Sequence, residues 1–235
     1  MKEFLFTCLF LHIHNTLCLK VIVSGYNSKV VTYDVHGTSL SPADEWELGV
    51  AGEAMSWLQM DGDHIWAGHE VSEYEGEPFS VVSKWKVSGN GDSLQRLGYA
   101  STGSTGTAHV LVDKDENKVY AANYGGGSLS IINIINIEKN GIFSQLPPNV
   151  LKYEGEVCRD VSHPHQTVIQ GKKVWVVDLG CDTIWHYYLQ DDGELESTGR
   201  TSVQPGAGPR HMVIHPKKDL MFLLCELQSA VIVYR

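Results

Sequence analysis

The feature that most constrains this chain is a repeat. A short apolar strand, a tight polar turn, a second strand, a Gly/Asn/Asp break and a third strand recur along it. The clearest copy joins residues 109–112, 118–122 and 128–132. Others join 165–169, 174–177 and 183–187, then 211–214, 220–224 and 230–234. A looser copy covers 56–58, 64–67 and 79–82, and the chain enters on 20–23 and 30–33. Matching second-strand positions are Ile22, Trp66, Tyr120, Trp175 and Phe222, separated by 44, 54, 55 and 47 residues. Short β-branched and aromatic strands at a period near ~50 are the signature of propeller blades. Parallel α/β folds need amphipathic helices of about 10–15 residues between strands, and none is legible. The intervals hold turn pieces instead, such as Asp61-Gly62-Asp63 and Asp191-Asp192-Gly193, which tolerate left-handed or side-chain-bonded turns. The expected fold is all-β, a β-propeller of antiparallel blades that is incomplete, with about four to five blades present.

An incomplete ring leaves strand edges without neighbours, so self-association through exposed blade edges is expected. The domain is expected over residues 19–235, after a leader over 1–18 whose apolar run 4–11 is signal-like. That run is far shorter than the ~20 residues that span a bilayer, so no membrane span is expected.

The charge balance, 18 Lys+Arg against 28 Asp+Glu for a net −10, argues against nucleic acid as a partner. It leaves an anionic small molecule open, since one arginine in a cleft sets the local field. Cys8, Cys18, Cys158, Cys181 and Cys225 form no CxxC pair. Their odd count and wide spacing suggest buried free thiols and a cytoplasmic location, with secretion through the leader as the alternative. No metal and no cofactor are expected. His12 and His14 have no acidic partner, and Gly125-Gly126-Gly127 leads to a strand without the lysine of a phosphate-binding loop. The segment 101–106 lacks the context of a serine nucleophile elbow.

Several motifs carry a resemblance. Gly206-Ala207-Gly208-Pro209-Arg210-His211 followed by Cys225-Glu226-Leu227 resembles a signature of the seven-bladed lactonase family. Tyr120-Ala121-Ala122-Asn123-Tyr124-Gly125 and Ser162-His163-Pro164-His165 are similar to its middle-blade elements, and Val23-Ser24-Gly25-Tyr26 to its first-blade strand. The resemblance covers residues 19–235 and implies a truncated member. The family includes propeller-type 6-phosphogluconolactonases and carboxy-muconate lactonizing enzymes. The latter also use an arginine from a later blade, which has no counterpart here.

Antiparallel topology puts the start of a first strand beside the end of a second strand. His109, His165 and His211 are read as matching first-strand starts, and Tyr26, Glu70, Tyr124, Leu179 and Glu226 as matching second-strand ends. All are expected on one rim of the central channel. Arg210 offers a rigid fork of donors for a carboxylate or phosphate. Its structural alternative is a salt bridge fixing the 206–209 loop. His165 exchanges protons near neutral pH or hydrogen-bonds a neighbouring blade. Glu226 is a general base, or the partner of Arg210. The catalytic set expected is therefore His165, Glu226 and Arg210, with Arg210, His211, His109 and Glu70 binding substrate. In a regular strand Arg210 and His211 face opposite ways, so only one of them need enter the channel. Trp66, Trp175, Tyr120 and Phe222 are read as core between blades.

Three functions stay open. The resemblance implies a lactone hydrolase acting on a small anionic sugar lactone, like 6-phosphogluconolactonase. The alternatives are a lactonizing cycloisomerase of the carboxy-muconate type and a non-catalytic propeller that binds or scaffolds.

Overall fold

The computed structural model describes residues 7–11, 19–89, 91–134, 148–153, 158 and 161–235. Of residues 7–11 only the backbone pairing is described, and His12, His14 and Cys18 lie outside the described residues.

Five antiparallel sheets follow one another along the chain. Blade 1 holds β1 (Thr7–Leu11), β2 (Leu19–Ser24), β3 (Lys29–His36) and β4 (Ser39–Glu47). The leader-like segment thus supplies a strand, β1, antiparallel to β2. Blade 2 holds β5 (Met55–Asp61), β6 (His64–His69), β7 (Val81–Ser88) and β8 (Ser93–Ser101). Blade 3 holds β9 (Thr107–Asp113), β10 (Lys118–Asn123), β11 (Ser128–Asn133) and β12 (Asn149–Lys152). Blade 4 holds β13 (Pro164–Gln170), β14 (Lys173–Asp178), β15 (Thr183–Leu189) and β16 (Leu195–Ser202). Blade 5 holds β17 (Pro209–Ile214), β18 (Met221–Cys225) and β19 (Ala230–Tyr234). The first strands β1, β5, β9, β13 and β17 touch in succession and line the axis. The fold is an incomplete β-propeller of five blades, as the repeat predicts.

Burial follows position in the blade. Strands β10 and β11 are buried on both faces, whereas the outermost β16 is exposed along most of its length. The core lies between blades, one apolar cluster to each junction. Ile22 and Val30 meet Met55, Leu58 and Ile65 between blades 1 and 2. Trp66 and Val82 meet Val110 and Val119 between blades 2 and 3. Tyr120 and Leu129 meet Val176, and Val177 and Ile184 meet Met212 and Leu223, at the next two junctions. In blades 1 to 4 the second-strand Ile, Trp or Tyr at the repeated position faces forward onto the next blade. Trp66 and Tyr120 are fully buried there, and Trp175 packs half-buried against blade 5. Phe222 occupies the same position in blade 5 but belongs to no buried cluster among the described residues. Emptying the Trp66 site by Trp66→Ala costs about 3–5 kcal/mol through lost transfer energy and a residual cavity.

The turns are those their residues predict. Gly62 and Gly193 sit at positive φ in the first-to-second-strand turn of blade 2 and the third-to-fourth-strand turn of blade 4. The triple glycine serves packing: a side chain on Gly126 would strike Ser104, and one on Gly106 would strike the backbone of Gly125. One cysteine expectation is overturned. Cys158 and Cys181 form a disulfide, while Cys225 is a buried free thiol. Spacing could not reveal the pair, because the bond joins two loops brought together only when β13 and β14 form.

Candidate functional site

Each first strand of blades 2 to 5 opens with the same irregularity. Met55 pairs with His69 but Trp57 pairs with Gly68, leaving Ser56 extra. Ala108, His165 and Arg210 are extra in the same way at the starts of β9, β13 and β17. A bulge of this kind re-aims side chains and interrupts the strict alternation of faces. His165 is therefore the counterpart of Arg210, and His109 that of His211, with Trp57 and Gln166 in the same place. This corrects the equivalence of the three histidines, because blade 4 presents its histidine one residue earlier. Matching second-strand ends are Ser24, His69, Asn123, Asp178 and Cys225, so Glu70, Tyr124, Leu179 and Glu226 follow them directly. Tyr26 lies one residue further on.

The bulges bring the singled-out residues together at one end of the axis. Arg210 forms an ion pair with Glu226 through Nη1 and Oε2. Tyr26 donates its hydroxyl to Glu70 Oε2 at 2.6 Å. Burial, the Glu70 hydrogen bond and the Glu226 charge raise the Tyr26 phenol well above its usual range, while Arg210 opposes the shift. The Arg210 and Glu226 charges thus act on Tyr26 of the other pair. Beneath them lies a layer of rings. The Trp57 centroid is 4.2 Å from that of His109 and 5.6 Å from that of His211. His165 meets His211 edge-on at 5.1 Å and Tyr124 at 5.9 Å. Tyr124 stacks on His163 at 4.3 Å, and the His163 ring lies 2.7 Å from the Tyr124 carbonyl through Nδ1.

Arg210 and His211 both reach this cluster, contrary to the expectation that alternation would separate them; the bulge at Arg210 is the reason. Burial, then the Arg210 charge, pushes His165 down to about 3 and His211 to about 4. Burial and the two neighbouring imidazoles hold His109 far below its usual value. All three are neutral at neutral pH. His109 Nδ1 also faces the Thr167 amide across 3.5 Å, tying blade 3 to blade 4. Among the described residues, His211 Nε2 and Trp57 Nε1 are buried with no hydrogen-bond partner, and His165 Nδ1 has none beyond its own backbone. Orphaned polar atoms are uncommon in native interiors, so this cluster beside an ion pair is the candidate site.

Two carboxylates hold the frame. Asp178 accepts from Ser162 Oγ at 2.6 Å, the His163 amide at 2.9 Å, the Cys181 amide at 3.0 Å and Trp185 Nε1 at 3.0 Å. Asp182 accepts from the amides of Gly206 at 2.6 Å and Gly208 at 2.8 Å. The 206–209 loop is therefore fixed by Asp182, and Arg210 is left to Glu226. Sequence reading missed Asp182, Trp57 and His163 as parts of the site. The paired glycine amides before Pro209 were the available signal for Asp182, since two free amides in a tight loop call for an anion. Two clefts, lined by residues such as Trp175 with Ile214 and Lys114 with Lys172, open at the opposite blade ends, away from this cluster.

Known proteins share this architecture. The family model described as lactonase, 7-bladed beta-propeller matches residues 20–235. The chain is 30% identical over 156 residues to the 6-phosphogluconolactonase of Bacillus subtilis (strain 168), covering 64% of this chain and 43% of that protein. With the 6-phosphogluconolactonase of Cronobacter sakazakii it shares 28% over 158 residues, covering 66% and 44%. It thus spans less than half the length of these two curated relatives. The solved structure of the Pseudomonas aeruginosa periplasmic gluconolactonase aligns with a TM-score of 0.74 at 21% identity, covering 91% of this chain and 63% of that one. A protein from Lactobacillus plantarum aligns with 0.74 at 22% identity, covering 92% and 62%. At such identities the structural likeness carries the fold alone. The family match extends across all five blades from β2 onward, and the chain belongs to the lactonase family of seven-bladed β-propellers.

Proposed function

We propose that this chain carries the reacting end of a lactone hydrolase whose substrate is an anionic sugar lactone of the 6-phosphogluconolactone kind. The observation that carries the reading is the Arg210–Glu226 pair seated over neutral, partly unpartnered imidazoles. Arg210 takes the anionic group or the carbonyl oxygen of the substrate in place of part of its contact with Glu226. Glu226 removes a proton from water as that water attacks the carbonyl carbon. Neutral His165 donates a hydrogen bond to the oxygen on which charge develops. The tetrahedral adduct collapses by breaking the ring C–O bond, and Glu226 returns its proton to the departing alkoxide. Tyr26 and Glu70 form a polar wall for substrate hydroxyls, with His109 and His211 below.

The test is base uptake with 6-phosphogluconolactone, corrected for spontaneous hydrolysis. Protein-dependent uptake is expected, and Arg210→Ala is expected to lower it at least about tenfold, the scale of one lost charge-assisted contact. A rate equal to the spontaneous one retires the hydrolase and leaves a binding module. One observation favours that second reading: Arg210 and Glu226 already satisfy each other. Self-association belongs to the same proposal, since the forward face of blade 5 exposes Val213, Leu224, Val231 and Val233.

A further inference from the structure

The disulfide lies beside the Asp178 carboxylate. Cys158 precedes the 161–163 segment that leads into β13 and His165. Cys181 sits in the β14–β15 turn, between Asp178 and Asp182. The turn and the segment are in close contact, because a side chain on Gly180 would collide with the Val161 carbonyl and the His163 ring. Asp178 reinforces that contact, holding Ser162 and His163 from one side and the Cys181 amide from the other. One residue further on, Asp182 grips the loop that delivers Arg210. The Cys158–Cys181 bond thus ties together the backbones that place His165 and Arg210, the two bulge residues of the site.

We propose that this disulfide is a redox clasp on the candidate site. Closed, it holds the 161–165 segment and the 179–182 turn in the register that presents both bulge residues. Opened, it releases them, because two unbonded thiols need more room than a bonded pair. The Gly180–Val161 contact leaves that room only if the segment moves away. The chemistry is thiol–disulfide exchange with a dithiol. A thiolate attacks the half-buried Cys158 sulfur, and Cys181 leaves and takes up a proton. The second thiol of the reductant then displaces Cys158 from the mixed disulfide. Two protein thiols form and the dithiol is oxidised to its disulfide. The Asp178 carboxylate and both sulfurs all lie within 4.8 Å of one another. A nearby negative charge disfavours the departing thiolate and slows exchange, and a dithiol carries it through because its second thiol attacks within the mixed disulfide.

The experiment is hydrogen exchange followed by mass spectrometry on the whole chain, untreated and after a dithiol such as dithiothreitol. This reads backbone protection, not lactone turnover, so its outcome is independent of the hydrolase reading. Reduction is expected to speed exchange about tenfold or more in peptides covering 161–165 and 204–209, with β6 and β7 of blade 2 unchanged. Cys158→Ser and Cys181→Ser, each alone, are expected to reproduce the faster exchange and to abolish the response to dithiol. Three results overturn the proposal: both cysteines alkylating in the untreated protein, equal exchange in the two forms, or a uniform rise across every blade. The last makes the bond a staple of the whole fold and not a clasp on the site.

Discussion

At the scale of single residues, the site is defined by histidines kept neutral. Burial pushes His165 down to about 3, and His69 and His211 to about 4, while His109 moves the same way. Their folded values lie below the unfolded value near 6.5. The unfolded chain therefore takes up protons that the folded chain refuses as pH falls below about 6.5. Stability is fully present above that value and declines toward pH 4, by up to about 1.4 kcal/mol per pH unit for each histidine. Urea midpoints at pH 7 and pH 5 check this, and equal midpoints would remove the buried neutral histidines from the account. Function carries the same signature. With His165 neutral throughout, the pH–rate profile of lactone hydrolysis is expected to show no inflection near about 6.5, the value of an unburied imidazole. An inflection there that disappears in His165→Gln would return a titrating role to that residue. The placement of Arg210, Glu226, His165 and Glu70 at matching strand ends was legible from motif and strand order. Their environment was not: the drop in imidazole basicity comes from blades 2 to 5 crowding one spot, which no local window records.

At the scale of elements, the decisive device is the bulge that opens the first strand of blades 2 to 5. Counting strands in the sequence predicts the rim, because an antiparallel pair puts Glu226 beside the start of β17. Counting cannot predict the extra residue, since a bulge is a matter of pairing and Arg210 and His211 read as ordinary strand neighbours. The bulge in turn depends on how the chain arrives, and for β17 that is set by Asp182. Its backbone has φ 47, and its carboxylate receives the Gly206 and Gly208 amides. Asp182→Asn suits the test, because asparagine tolerates the left-handed region while giving up the charge and one of the two acceptors. Hydrogen bonds to a charged group contribute about 1.5–3 kcal/mol each, so a loss of about 1–3 kcal/mol in urea unfolding is expected. Turnover is expected to fall with it as Arg210 loses its placement. If stability and turnover both match the unsubstituted chain, the loop is held by something other than Asp182.

At the scale of the whole molecule, stability is distributed over junctions. Four apolar clusters join five blades, and each forms where the forward face of one blade meets the next. The repeat made this architecture legible, since an aromatic or β-branched residue near every ~50 positions has to face a neighbour. Blade 5 repeats the forward face without a covering blade among the described residues. Val213, Phe222 and Val233 form one cross-strand row, and Leu224 pairs with Val231 in the next. Val213 and Val231 are each 60% exposed, Val233 51% and Leu224 42%. In blades 2 to 4 the pairs matching Leu224 and Val231, namely Gly68 with Val82, Ala122 with Leu129 and Val177 with Ile184, are buried. A contiguous apolar face of this kind drives association, and each valine that becomes buried contributes about 1.5–3 kcal/mol at most. The 235-residue chain is therefore expected to self-associate through blade 5, with a light-scattering mass that rises with concentration. Val231→Lys with Val233→Lys places two charges on that face and is expected to weaken association at least about tenfold. Because both positions lie on the third strand and point away from the blade 4 junction, the far-ultraviolet spectrum and the unfolding midpoint are expected to stay close to those of the parent. A parent chain that remains monomeric at about 100 μM, well above a micromolar dissociation constant, would show that this face does not pair with a second copy.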